Sequence, residues 1–209
     1  SKSCRFGTSE RLKSELAAEI CSVIAFSAVQ NNDKVGMFTF TDRVEKYIPP
    51  RKGLKHVLRV IREALYNQPE GTGTDINHIL EHLNKVTTRS MTTFIISDFF
   101  AENFKKKLAI TNKRHDVIAV TIADPAEFDV PDAGIVKMHD AETGEEFEMD
   151  TSDPEAREIY RRQANDFMEK RDMVFKSVNV DNVVINTDRS YVEPLIRFFR
   201  MREKRLARR

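Results

Sequence analysis

Two short apolar runs, MTTFIIS at 91–97 and DVIAVTIA at 116–123, restrict the possible folds more than any other feature of this sequence. Both have the length and the β-branched content of strands. A helical pattern at 104–113 separates them, and strands that alternate with helices are typical of a parallel sheet with crossover connections. We therefore predict an α/β fold.

The rest of the chain continues this alternation. At 34–41 (KVGMFTFT) apolar residues point to both faces, which indicates a buried strand with helices on both sides. Pro49 and Pro50 are predicted to end the pairing of the next strand with it, because proline has no amide hydrogen. The predicted helices lie at 9–30, 54–66, 75–86, 104–113, 154–177 and 191–206, and the predicted strands at 34–41, 44–48, 91–97, 116–123 and 182–187.

Length and charge limit the domain organisation and the possible partners. A chain of 209 residues can bury one good core, so we expect one domain over 1–209. A hairpin insertion is expected at about 132–150 and a basic helix at about 191–209. The 34 Lys and Arg against 33 Asp and Glu leave a net charge of +1, which does not favour a nucleic-acid or anionic-membrane partner.

The basic C-terminal stretch and the cysteine content bear on partners and location. The apolar spacing of Leu195, Ile196, Phe199 and Leu206 favours a docked helix with a basic outer face over a nucleic-acid-binding tail. Two cysteines are too few for a disulfide framework, which favours a reducing compartment. With no apolar run of eighteen residues and no signal-peptide pattern, we expect a cytoplasmic protein.

Several polar residues are expected at the edge of the predicted sheet where a ligand would bind. In open α/β sheets ligands bind beyond the carboxyl ends of the strands, where Asp98 and Asp124 follow the two apolar runs. Thr74 lies in a glycine-rich loop before a helix, and Ser1 and Ser3 stand in an S-x-S spacing just before another helix. Hydroxyl and carboxylate oxygens with few charges suit Mg²⁺ or Mn²⁺.

This arrangement resembles the metal-ion-dependent adhesion site of von Willebrand factor A domains, whose pattern is D-x-S-x-S, then a distant Thr and a distant Asp. Ser1 and Ser3 match the two serines, Thr74 in GTGTDINHIL matches the Thr, and Asp98 in FIISDFF matches the second Asp. The resemblance implies a von Willebrand A-like, Rossmann-like fold with a mainly parallel sheet and helices on both faces. It also implies that Ser1, Ser3, Thr74 and Asp98 hold Mg²⁺ or Mn²⁺.

The first Asp of that pattern would stand two positions before Ser1. We therefore interpret the sequence as a fragment that begins inside the motif and lacks the first central strand. Without that strand, 34–41 and 91–97 would either pair directly or recruit a segment of a second copy, so self-association and a poorly formed metal site are expected.

Longer stretches resemble the bacterial family labelled "domain of unknown function 58". They lie at 6–65, 114–127 (RHDVIAVTIADPAE), 140–145 (DAETGE) and 187–209. Members of that family contain a von Willebrand A-like domain and are often encoded beside MoxR-type AAA+ ATPases. The resemblance implies a non-enzymatic protein-interaction module that works with such an ATPase or its client, with a partner carboxylate completing the coordination of the metal.

Two other chemistries compete with this interpretation. Asp98 and Asp124 could hold Mg²⁺ for phosphoester hydrolysis, but the sequence has no P-loop and no nucleophile with an adjacent base. His78 and His82 have a spacing that can bind zinc, but the Glu of an H-E-x-x-H motif is missing. We therefore expect no enzymatic activity, with the phosphohydrolase as the alternative.

Overall fold

The structure is a computed structural model that describes residues 12–66, 70–71, 73–101, 103–139 and 146–207. In chain order these ranges contain α1 (Lys13–Gln30), β1 (Val35–Phe40), β2 (Val44–Arg51), α2 (Leu54–Tyr66), α3 (Ile76–Val86), β3 (Thr92–Ser97), α4 (Lys105–Arg114), β4 (Asp116–Ala123), β5 (Ile135–His139), β6 (Glu146–Asp150), α5 (Pro154–Ser177), β7 (Asp181–Asn186) and α6 (Val192–Leu206). The predicted helices and strands are confirmed with small shifts of their ends, and residues 9–11 of the first predicted helix lie outside the described residues. The prediction that 34–41 is a buried strand was wrong, because the residues of β1 are half-buried or exposed.

A parallel sheet of three strands forms the centre of the fold, in the order β3-β4-β7. Thr92 is aligned with Asp116 in the first pair, and Ile118 with Asp181 in the second. Every residue of β4 after Asp116 is buried, as expected for a strand covered on both faces. The predicted parallel α/β arrangement is confirmed.

Alternate residues of β4 enter two separate cores, because successive side chains of a strand point to opposite faces. On one face, α3, α4 and α5 pack over a cluster formed by Ile76, Leu80, Ile95, Phe99, Phe104, Leu108, Val117, Ala119, Phe175 and Val180. On the other face, α1 and α6 pack over Leu16, Ile20, Ile118, Val120, Ile122, Val183, Ile185, Leu195 and Phe198. Full burial of one such side chain contributes about 1.5–3 kcal/mol, so both helix layers are held by apolar contacts.

The strands β1 and β2 form an antiparallel hairpin that is a separate sheet. Among the described strands, β1 and β3 do not pair, so direct closure of the sheet, one of the two outcomes considered above, is not observed. The prediction that Pro49 and Pro50 end the pairing was wrong. Strand β2 runs through both prolines to Arg51, which is aligned with Val35 across a bulge. Gly36 makes this possible, because a Cβ atom there would lie 2.9 Å from Pro50.

A second antiparallel hairpin, β5–β6, lies where the insertion was expected. The following turn fastens its base, since the backbone amide and the hydroxyl of Thr151 both donate to the carbonyl of Gly134, at 2.8 and 2.7 Å. Helix α5 then begins under the cap of Asp153, whose carboxylate accepts from the amide of Glu155 at 2.9 Å.

The basic helix α6 is docked on the sheet, as predicted, but not with all of the predicted residues: Ile196 and Phe199 are 45% and 40% exposed. Leu195 and Phe198 are buried beneath it, and the Arg202 guanidinium donates to the carboxylates of Asp116 and Asp181 at 2.5 Å each. In the described part of the chain, no helix is both long and apolar enough to span a bilayer.

Candidate functional site

Asp98 lies at the carboxyl end of β3 and is only 2% exposed. The chain turns sharply after it, with Phe99 at a left-handed φ of 57°. One carboxylate oxygen, Oδ1, accepts from the Ser97 hydroxyl at 3.3 Å and from the Phe100 amide at 3.4 Å. The other, Oδ2, is buried and has no hydrogen-bond partner in the described structure. Such an oxygen is costly to bury unless a ligand satisfies it.

Thr74 lies half-buried in the loop that leads into α3. The residue that caps this helix is its neighbour Asp75, whose carboxylate accepts from the amide of His78 at 3.0 Å. Capping of the helix, the usual role of a polar residue just before it, is therefore performed by the Asp75 carboxylate and not by the Thr74 hydroxyl. Ile76, which follows the loop of Thr74, and Phe99, which follows Asp98, belong to the same buried cluster on one face of the sheet.

The loop that carries Thr74 is fastened to the β1–β2 hairpin. Glu45 Oε1 accepts from the amide of Gly71 at 2.8 Å and from the hydroxyl of the buried Thr41 at 2.7 Å. The amide of Asp75 donates to the carbonyl of Thr41 at 2.9 Å. The Thr41 hydroxyl, followed by the Gly71 amide, holds the pKa of the Glu45 carboxyl below its usual value. The hairpin thus positions the loop through hydrogen bonds at both ends.

A buried ion pair that the sequence analysis missed lies at the same edge. Lys13, in the first turn of α1, is fully buried and pairs with Glu127 Oε1, and its ammonium lies 5.5 Å from the centre of the Phe100 ring. Burial raises the pKa of the Glu127 carboxyl; the ammonium of Lys13 opposes this rise and the charge of Asp98 adds to it. Asp98 is linked to this pair through Phe100, whose amide donates to Asp98 Oδ1 and whose ring lies beside the Lys13 ammonium.

The sequence does contain a signal for Lys13. Its position falls on the stripe that continues with Leu16 and Ile20, both fully buried, so a charged residue stands on the apolar face of α1. Lysine is almost never fully buried unless it is paired. No comparable local signal marks Glu127, which is 114 residues away along the chain.

Asp124, the second carboxylate of the predicted edge, is fully buried and has local partners for both of its oxygens. Oδ1 accepts from the Ala126 amide at 3.0 Å, and Oδ2 accepts from the Thr187 hydroxyl at 2.7 Å. Asp124 thereby caps the short 3₁₀ turn Pro125–Glu127 and joins the ends of β4 and β7. These contacts are those of a structural residue.

The other predicted ligands fall outside this arrangement. Ser1 and Ser3 lie outside the described residues. His78 is exposed, whereas the ring of His82 packs edge-on against Phe38, with ring centres 5.6 Å apart. Within the described ranges, no group of three or more His, Cys, Asp and Glu side chains is placed to hold a metal. Of the four proposed metal ligands, Thr74 and Asp98 lie within the described residues, Thr74 in the loop before α3 and Asp98 at the end of β3.

The fold and the site define an α/β protein whose parallel sheet ends in a buried carboxylate, one oxygen of which has no hydrogen-bond partner among the described residues. The family model "Protein of unknown function DUF58" matches residues 1–170, and the chain belongs to that family. The family prediction made from the sequence is confirmed.

Curated relatives come from mycobacteria and are uncharacterized proteins. One from Mycobacterium tuberculosis is 26% identical over 98% of this chain, and the chain spans 65% of its length. Another, from Mycobacterium avium, is 27% identical over 75% of this chain and 94% of its own length. The crystal structure of the conserved hypothetical protein BatB from Bacteroides thetaiotaomicron matches with a TM-score of 0.62 and 15% identity, over 100% of this chain and 95% of that one. At this identity the match supports the fold alone.

Proposed function

We propose that this chain is a von Willebrand A-like module that binds a protein partner through a divalent cation at the carboxyl edge of its parallel sheet. The observation that carries the proposal is Asp98 Oδ2, a carboxylate oxygen that is buried at the end of β3 without a hydrogen-bond partner in the described structure. An oxygen of this kind fits a cation ligand, because a bound cation removes the cost of its burial.

The available donors fit Mg²⁺ or Mn²⁺. Asp98 supplies a carboxylate and Thr74 a hydroxyl, and the resemblance to the adhesion-site pattern adds the hydroxyls of Ser1 and Ser3. Hard oxygen donors with few charges leave a cation with water in its shell and room for one more ligand. The metal supplies a charged contact point, and a carboxylate from the partner would occupy the remaining position. From the family resemblance we infer a MoxR-type AAA+ ATPase, or its client, as this partner.

The alternative is a Mg²⁺-dependent phosphohydrolase that uses Asp98 and Asp124. The hydrogen bonds of Asp124 to the Ala126 amide and the Thr187 hydroxyl weigh against it, since both carboxylate oxygens already serve the fold. We therefore favour a binding role over a catalytic one. Turnover of generic phosphoesters that disappears in Asp98→Asn would reverse this preference.

Isothermal titration of Mg²⁺ into the full-length protein tests the proposal. We expect Asp98→Asn and Thr74→Ala to weaken Mg²⁺ binding by about tenfold or more, because each removes an oxygen ligand while the apolar core stays intact. Asp188→Asn is the matched control, since Asp188 is exposed just beyond the end of β7, and it should bind Mg²⁺ like the wild type. Wild-type affinity in Asp98→Asn, or the absence of Mg²⁺ binding by the wild type, would refute the proposal.

A further inference from the structure

The starting observation is the complete burial of Lys13 at the carboxyl edge of the sheet. Its ammonium has two neighbours of suitable chemistry, the carboxylate of Glu127 and the face of the Phe100 ring, 5.5 Å from the ring centre. Phe100 is held in place by stacking on Phe167, with ring centres 4.9 Å apart and an interplanar angle of 16°. The Lys13 side chain is therefore a buried part of this edge and not a surface side chain that lies across it.

Among the described residues, two carboxylates, those of Glu127 and Asp98, lie near this lysine. Glu127 pairs with Lys13 through Oε1, and its Oε2 accepts from the amide of Asp124 at 3.0 Å. Asp98 is linked to the same group through Phe100, whose amide donates to Oδ1 at 3.4 Å while its ring lies beside the Lys13 ammonium. The other oxygen of Asp98, Oδ2, has no partner in the described residues. One ammonium thus faces two neighbouring carboxylates, one of them incompletely satisfied.

We propose that the Lys13 ammonium is a built-in counter-ion for the carboxylates of Asp98 and Glu127. It competes with a divalent cation for these carboxylates and so sets the metal affinity of the site. This inference rests on the proposed function, because it assumes that Asp98 binds the cation. Two cations that neutralise the same small group of buried carboxylates repel each other strongly in a medium of low dielectric constant. The repulsion is reciprocal: the ammonium weakens metal binding, and a bound metal weakens the interaction of the ammonium with the carboxylates.

The position of Lys13 gives this competition a structural consequence. Lys13 is the first residue of α1, so a displaced ammonium loosens the first turn of that helix. Leu16 and Ile20, which follow on the same face, are fully buried against the sheet and hold the rest of the helix in place. A divalent cation should therefore change the start of α1 and leave its later turns unchanged.

A thermodynamic cycle tests the competition in the full-length protein. Mg²⁺ is titrated calorimetrically into the wild type, Lys13→Met, Glu127→Gln and the double variant. Removal of Lys13 should tighten Mg²⁺ binding by about tenfold, both in the wild-type background and in the Glu127→Gln background. The second background matters because Lys13→Met alone leaves Glu127 buried without its partner, and the double variant avoids that loss of stability.

The control is Lys107→Met, which removes a lysine of an ion pair with Glu81 in which both side chains are 41% exposed. Its Mg²⁺ affinity should equal that of the wild type. Amide hydrogen exchange gives a second readout: Mg²⁺ should speed exchange at the start of α1 in the wild type and not in the double variant.

The outcomes separate the two proposals. Mg²⁺ binding that depends on Asp98 but is unchanged or weakened by Lys13→Met in both backgrounds would overturn the competition and leave the proposed function standing. No Mg²⁺ binding by the wild type would overturn the proposed function, and the competition with it.

Discussion

At the residue scale, His115 is a buried titratable group outside the candidate site. Its Nε2 lies 3.2 Å from the Thr87 hydroxyl, which itself donates to the carbonyl of Leu83 at 2.6 Å. The hydroxyl proton is thus committed to Leu83, so Nε2 carries the imidazole proton and donates to Thr87. Nδ1 is buried without a partner in the described residues. Burial, with a smaller contribution from the charge of Arg114, lowers the pKa of His115 below its ordinary value.

This arrangement predicts a loss of stability in mild acid. Below pH about 6.5 the unfolded chain takes up a proton on His115 while the folded chain does not, so the free energy of unfolding falls as the pH falls. The fall ends below the depressed folded-state pKa, and above pH about 7.5 the contribution of His115 is constant. Urea unfolding of the wild type and His115→Gln, at pH 5.5 and 7.5, should show a smaller difference between the two pH values in the variant.

His78→Gln is the control for this measurement, because His78 is exposed on α3. It should keep the pH dependence of the wild type. An equal pH dependence in His115→Gln and the wild type would contradict the assignment of a neutral, buried imidazole.

At the element scale, the attachment of the Thr74 loop to the β1–β2 hairpin depends on the absence of a side chain at Gly71. A Cβ atom there would lie far inside the contact distances of Thr41 Oγ1 and Asp42 Oδ1, whereas at Gly73 the nearest atom would be 3.7 Å away. Thr41 is fully buried and hydrogen-bonded to Glu45, so it has little freedom to move aside. The loop itself would have to shift.

We therefore predict that Gly71→Ala lowers the free energy of unfolding by about 1–3 kcal/mol, the usual cost of overpacking. Because the displaced loop carries Thr74, the variant should also bind Mg²⁺ more weakly. Urea unfolding and Mg²⁺ titration measure the two effects. Gly73→Ala is the matched control and should change the free energy of unfolding by less than about 0.5 kcal/mol. Equal stability of the two variants would show that the hairpin does not hold the loop.

At the scale of the whole molecule, α6 fastens the end of the described chain to the middle of the sheet. Arg202 is 17% exposed and bridges Asp116 at the start of β4 and Asp181 at the start of β7. Arg205 donates to the same Asp181 at 2.8 Å. Two of the basic residues at this end of the chain are thus engaged within the fold.

We predict that Arg202→Ala lowers the free energy of unfolding by about 1–3 kcal/mol, because it leaves two carboxylates without their shared charged donor. Arg197→Ala on the same helix removes a pair with Glu193 in which the side chains are 77% and 80% exposed, and should cost roughly 0.3–0.5 kcal/mol. Chemical denaturation of both variants measures the difference. Similar losses in the two would mean that the Arg202 bridge adds no more than a surface pair.

The sequence alone determined the order of the helices and strands, the parallel central sheet and the two helical layers. Each of these follows from the spacing of apolar residues within one helix or strand, which can be read from a short stretch of sequence. The position of Asp98 at a strand end followed in the same way, as did the docking of α6 through Leu195. The burial of Phe198, in place of the predicted Ile196 and Phe199, was seen only in the structure. The predicted ligands Ser1 and Ser3, the metal and the partner remain predictions.

The tertiary structure decided the features that join distant parts of the chain. A proline ends a strand unless the neighbouring strand leaves room for its ring, and Gly36, which has no side chain, leaves that room for Pro50. The pair of Lys13 with Glu127 likewise depends on the packing of α1 against the end of β4, because no pattern within either segment specifies the other. Burial and charge act through space and not along the chain, so the groups that surround Asp98 became known only when the fold placed them there.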